Sequence, residues 1–144
     1  MATIEQLQLL KDGYWEVPWK GKGMEQINDN YYKGFEGEPE IQFICRKGET
    51  SEIFVIWEGY FDQIMRLIKP DDDGWKGLAY YYHLCLGWYE ESPWVVQDLH
   101  TALKQFESID NEMISGKAAE VLKILCNLFK DAIRYRFEIY INRE

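Results

Sequence analysis

Residues 40–59, EIQFICRKGETSEIFVIWEG, constrain the fold more than any other stretch. Two runs rich in Ile, Phe and Val flank a polar turn containing Gly48, which predicts a β-hairpin. The period changes just after Gly59. Phe61, Ile64, Met65 and Ile68 fall at i, i+3, i+4 and i+7, one face of a helix that Pro70 should end. Sheet and helix must therefore share a core. At the other end of the chain, RYRFEIYINRE alternates Tyr135, Phe137, Ile139 and Ile141 with Arg134, Arg136, Glu138 and Tyr140, the pattern of a half-buried strand. That strand can join the hairpin only by crossing the length of the chain. The expected architecture is α+β: one domain over residues 1–144, with a mixed or antiparallel sheet that includes the hairpin and the C-terminal strand, packed against several helices.

The remaining segments fill in this frame. Thr3 and Gln6 form a capping-box pattern, and Ile4, Leu7 and Leu10 follow at helical spacing before Gly13. Residues 14–39 mix glycines, prolines and isolated aromatics, which suits irregular chain or short strands. PDDDGWKG is the sharpest break. The apolar run Leu78–Tyr89 after it reads as a buried helix by length, although its tyrosines also suit a strand. PWVV is short and β-like. Asp98 should cap a helix striped by Leu99, Ala102, Leu103 and Phe106, and a longer helix from Gly116 carries Ala118, Val121, Leu122, Leu125, Phe129 and Ala132 on one face.

Charge narrows the partners. Against 16 Lys and Arg stand 25 Asp and Glu, a formal net charge of -9, so nucleic acid and anionic membrane surfaces would be repelled while a basic protein would be steered in. Aromatic residues make up 16% of the chain, more than a core of this size needs, which places some rings where partners could meet them. Cys45, Cys85 and Cys126 sit in apolar sequence and read as buried thiols of a reducing compartment. The opening residues lack the basic start and apolar run of a signal peptide, and no segment is apolar for the length of a membrane span, so the expected location is cytoplasmic.

Complete catalytic or metal motifs are missing. GKGMEQ, residues 21–26, lacks the spacing of a phosphate loop and the hydroxyl that would hold magnesium. Asp71, Asp72 and Asp73 suggest calcium, but Trp75 and Tyr82 stand at the fifth and twelfth positions, where oxygen ligands are needed. His83 and Cys85 have no second ligand pair for zinc, and His100 lies beside the apolar stripe of its helix. No cofactor is expected. What stands out instead is LGWYEESPW, residues 86–94, where Trp88, Tyr89 and Trp94 flank Glu90 and Glu91. As core, its rings would pack inward and its acids face water; as a binding edge, rings would supply contact area and carboxylates would select a basic partner.

SPWVVQDLHTALKQFESI followed by VLKILCNLFKDAIRYRFEIYINRE resembles the C-terminal pattern of small acidic immunity proteins that bacteria encode beside secreted toxins: a tryptophan-bearing strand, an aspartate-capped helix, a long helix and a final strand. The resemblance covers about the last third of the chain and implies a non-catalytic cytoplasmic protein that binds one cognate toxin and blocks its active site or functional surface. The residues expected to meet such a partner are Asp71, Asp72, Asp73, Trp75, Trp88, Tyr89, Glu90, Glu91 and Trp94. The alternative is a small enzyme or ligand-binding domain whose aromatic-lined pocket uses Tyr80, Tyr81, Tyr82, His83 and Glu90. Exposed aromatics could also form a homodimer interface.

Overall fold

The computed structural model describes the backbone of residues 19–20 and, in full, residues 25–144. The opening helix expected at Thr3–Leu10 and residues 21–24 of the GKGMEQ segment lie outside the described residues. Six strands form one sheet: β1 (Trp19–Lys20), β2 (Glu25–Tyr31), β3 (Glu40–Lys47), β4 (Thr50–Trp57), β5 (Trp94–Val95) and β6 (Glu138–Arg143). Their order is β1-β2-β4-β3-β6-β5, with β2 parallel to β4 and every other neighbour antiparallel. The helices are α1 (Glu58–Arg66), α2 (Gly77–His83), α3 (Leu99–Glu107) and α4 (Gly116–Tyr135).

The hairpin forms as the apolar runs demand, in register from Glu40 opposite Trp57 to Lys47 opposite Thr50. Its turn needs Gly48, whose φ of 67° a side chain would disfavour. The C-terminal strand pairs with β3 from Ile41 opposite Arg143 to Arg46 opposite Glu138, so the last strand lies inside the mixed sheet, between β3 and β5. This is the α+β arrangement expected.

One face of the sheet carries the core. Ile41, Phe43 and Cys45 from β3, Phe54 and Ile56 from β4, and Ile139 and Ile141 from β6 pack against Phe61, Ile64 and Met65 of α1, Ala102 and Phe106 of α3, and Leu125 and Phe129 of α4. Phe43 meets Phe61 edge-to-face at 5.4 Å and Phe106 meets Phe129 at 5.2 Å, the geometry that ring quadrupoles favour. At the turn end of this face Glu52 is buried and forms an ion pair with Lys47.

Four expectations change in detail. The apolar run Leu78–Tyr89 is two pieces, α2 and a 3₁₀ turn at Gly87–Tyr89, because Cys85 and Gly87 adopt φ of 55° and 63° and turn the chain out of the helix. Cys85 is consequently exposed, whereas burial pushes the Cys45 thiol up to about 12 and raises that of half-buried Cys126. The final strand begins at Glu138 rather than Arg134, since α4 runs on through Tyr135 and ends with Arg136 in the left-handed region. Residues 14–39 carry short strands, one of the two forms expected there, but β2 runs for seven residues, a length the polar sequence EQINDNY does not announce, with a register shift against β4 between Asn28 and Tyr31. Asp98 caps α3 as expected, its carboxylate accepting from the Thr101 amide at 3.0 Å and the Thr101 hydroxyl at 2.7 Å; these bonds hold its pKa below the usual carboxylate range. No described helix is long and apolar enough to cross a membrane.

Candidate functional site

The two acidic segments singled out by sequence flank one short helix. α2 is fixed from three sides. Leu78, Ala79 and Tyr82 point into the core, and the Tyr82 hydroxyl donates to Asp62 Oδ1 of α1 at 2.8 Å. Burial, followed by that carboxylate, pushes the Tyr82 phenol well above its ordinary value. His83 stacks on Trp75 with ring centroids 3.8 Å apart, and burial lowers its pKa. From α3, the Gln105 side chain accepts from the Ala79 amide at 3.3 Å and donates to the Lys76 carbonyl at 2.6 Å, holding the first turn of α2. A two-turn helix would not stand alone in water. These anchors make it rigid.

The outer side of α2 is apolar where solvent would normally be met by charge. Tyr80 is 39% exposed and Leu84 50% exposed, and their i, i+4 spacing places them on one face. They are two of the four large hydrophobic residues exposed among those described.

At its N-terminal end lies the aspartate turn. Asp71 and Gly74 exchange both backbone hydrogen bonds, at 3.0 and 2.9 Å, which closes a tight loop and leaves all three carboxylates in solvent. Lys76 Nζ sits 3.5 Å from both Asp71 and Asp73. These pairs are exposed and contribute little to stability. Asp72 has no ion pair among the described residues.

The other end is built differently. Trp88 is 1% exposed and meets the Phe61 ring at 5.8 Å, so it is part of the core and offers no surface to a partner; burial of its large ring outweighs the partnerless indole N–H. Trp94 on β5 packs half-buried against Trp88 at 5.4 Å and Tyr81 at 4.7 Å. Gly87 permits this approach, because a Cβ there would lie 3.2 Å from the Trp94 ring. Ser92 ties the bend down, donating to the Trp88 carbonyl at 2.6 Å and accepting from the Arg143 amide at 3.2 Å. The Arg143 guanidinium covers the half-buried Tyr89 ring at 5.1 Å and grips the Glu58 carboxylate at 2.5 and 3.4 Å. Burial, with help from Asp62 and Glu58, pushes the Tyr89 phenol up to about 12. Glu90 and Glu91 ride on this support and are exposed to solvent.

The sequence-expected residues thus divide. Asp71, Asp72, Asp73, Glu90 and Glu91 are exposed; Trp75, Tyr89 and Trp94 are half-buried; Trp88 is beneath the surface. The helix that lies between the two acidic sets has seven residues, about 10 Å along its axis at 1.5 Å per residue. Sequence reasoning did not place Tyr80 and Leu84 on this surface. The signal was their i, i+4 spacing, hidden because the whole run Leu78–Tyr89 is apolar and no polar side marks the outer face.

The residues of the alternative pocket do not converge. Tyr80 faces outward, Tyr82 faces Asp62, His83 lies against Trp75, and Glu90 is in solvent. A cleft of about 540 Å³ lies elsewhere, between the start of α3 and the end of α4, lined by Val95, Leu99, His100, Ile133, Arg136 and Phe137 among others. Among the described residues no group of three or more His, Cys, Asp or Glu side chains is arranged to hold a metal ion. No family model, curated protein or solved structure matches the chain.

Proposed function

We infer that this chain is a non-catalytic binding protein of the immunity type, acting in the bacterial cytoplasm, which neutralises a basic toxin domain by covering its active site or functional surface. The observation that carries the reading is the outer side of α2. An exposed apolar pair, Tyr80 and Leu84, stands between two exposed carboxylate sets on a helix held by the core, Asp62 and Gln105. Apolar centres desolvate on binding and provide affinity, and a charged rim steers encounter and selects the partner. A net charge of -9 extends the same field over the molecule and favours a basic surface opposite it.

The test is affinity capture from lysate of the source organism at low and high salt, with the native chain and an Asp72→Lys/Glu90→Lys variant side by side. The expected result is one basic polypeptide held near one-to-one by the native chain, released by salt, and bound at least about tenfold more weakly by the variant, as follows from reversing two rim charges. Equal retention by both chains removes this surface from the proposal. Retention of nothing at either salt, with the partner shown to be expressed, removes the proposal itself.

A further inference from the structure

The cleft between the start of α3 and the end of α4 shares no residue with the outer side of α2. Hydrogen bonds fix its walls. Asp98 caps α3 through both carboxylate oxygens, the Phe137 amide donates to the Ala132 carbonyl at 2.8 Å where α4 turns into β6, and the Val96 amide donates to the Ile139 carbonyl at 2.8 Å. The cleft is therefore formed before any ligand arrives, and its volume of about 540 Å³ is that of a small-molecule site.

Its lining selects a ligand on two counts. Val96 and Ala132, which are buried, and Val95, Leu99, Ile133 and Phe137, which are half-buried, give it mostly apolar walls that suit a hydrocarbon body. Among the charged residues, Asp98 and Glu138 set two carboxylates against the single guanidinium of Arg136, beside the imidazole of His100, which leaves one negative charge in excess. Both carboxylates keep acceptor capacity. Each offers about four acceptor sites; Thr101 takes two at Asp98, and the Tyr140 hydroxyl takes one at Glu138, at 3.3 Å. The net charge of -9 adds its field in the same sense.

We propose that this cleft binds a small amphipathic amine, its hydrocarbon body between Leu99, Ile133 and Phe137 and its ammonium on the carboxylates of Asp98 and Glu138. An anion of the same size would be drawn to Arg136 but repelled by both carboxylates and by the charge of the whole molecule. A neutral ligand would gain the apolar walls and nothing from the acidic rim. Binding here needs no protein partner, so its test is independent of the reading of α2.

NMR titration of the full chain with octylammonium, octanol and octanoate presents similar hydrocarbon bodies with three head groups. The expected result is saturable shifts of the amides of residues 95–100 and 132–138, with octylammonium bound at least about tenfold more tightly than octanoate and octanol between them. Asp98→Asn with Glu138→Gln should lower the octylammonium affinity about threefold, to that of octanol, and leave octanol unchanged. Asparagine caps a helix as aspartate does, and both positions are exposed, so this variant keeps its fold. Ile133→Trp, which fills the cleft, should abolish binding of all three; if it fails to fold, the double variant still decides. Octanoate bound as tightly as octylammonium would mean that Arg136 and His100 set the sign of the ligand, and overturns the proposal. So do shifts that spread over the surface without saturating, and an octylammonium affinity that these substitutions leave unaltered, which would place the amine elsewhere.

Discussion

The two ends of α2 carry similar chemistry on different foundations. The aspartate turn at Asp71–Gly74 is closed by its own backbone bonds and touched by one exposed lysine. The bend at Gly87–Trp94 rests on Trp88, Trp94, Ser92 and Arg143, and Arg143 reaches back to Glu58 at the start of α1. Acids beside aromatics in sequence therefore do not define one kind of site. In the turn the charges can be changed without touching the core. In the bend the charges are equally free, but the rings beneath them hold the last strands and α1 together.

The sharpest way to break this comparison is Trp88→Ala. Removing a ring that is 1% exposed should cost about 3–5 kcal/mol in urea unfolding. Asp71→Ala at the other end should cost under about 0.5 kcal/mol, since its ion pair is exposed. Similar losses for both would mean that the two ends are alike. Next in size is Gly87→Ala. Its φ of 63° lies in the region costly for a side chain, and the new methyl would press on Trp94 and Tyr81 at 3.2–3.3 Å, so a loss of about 1–3 kcal/mol is expected.

A smaller effect sharpens the role of the phenols. Tyr82 and Tyr89 have folded pKa values above the ordinary phenol value of 10.0, that of Tyr89 at about 12. For a group raised on folding, the unfolded chain loses its proton first, so the stabilisation is complete below pH 10 and declines as pH rises from there through about 12. The urea midpoint should fall over that window, and Tyr82→Phe with Tyr89→Phe should flatten the fall. The smallest change in stability belongs to Asp72→Lys/Glu90→Lys, whose melting temperature should match the native chain's although its partner affinity drops.

Much of the fold was legible because its periods are unambiguous. Ile41, Phe43 and Cys45 alternate as an inward strand face must, and Phe61, Ile64 and Met65 repeat as an inward helix face must. β2 was hidden because its outer edge meets only the two-residue β1 and its sequence is largely polar. The break after His83 was hidden because it turns on Cys85 with positive φ, a conformation rare outside glycine and not marked by residue type. At Arg134–Phe137 a helical stripe and a strand alternation overlap, and packing of α4 on the core decided for helix through Tyr135. The site was half legible for the same reason: acids at turns go to solvent by chemistry alone, but which tryptophan lies inside depends on Ser92, Arg143 and Phe61, which come from three distant parts of the chain.

The most direct measurement of the central claim is hydrogen exchange on the chain alone and in complex with the polypeptide it captures. Slowed exchange confined to residues 71–91, strongest through α2 and its two flanking acidic segments, is the predicted result. Unchanged exchange there, with protection appearing instead at the cleft between α3 and α4, would contradict it.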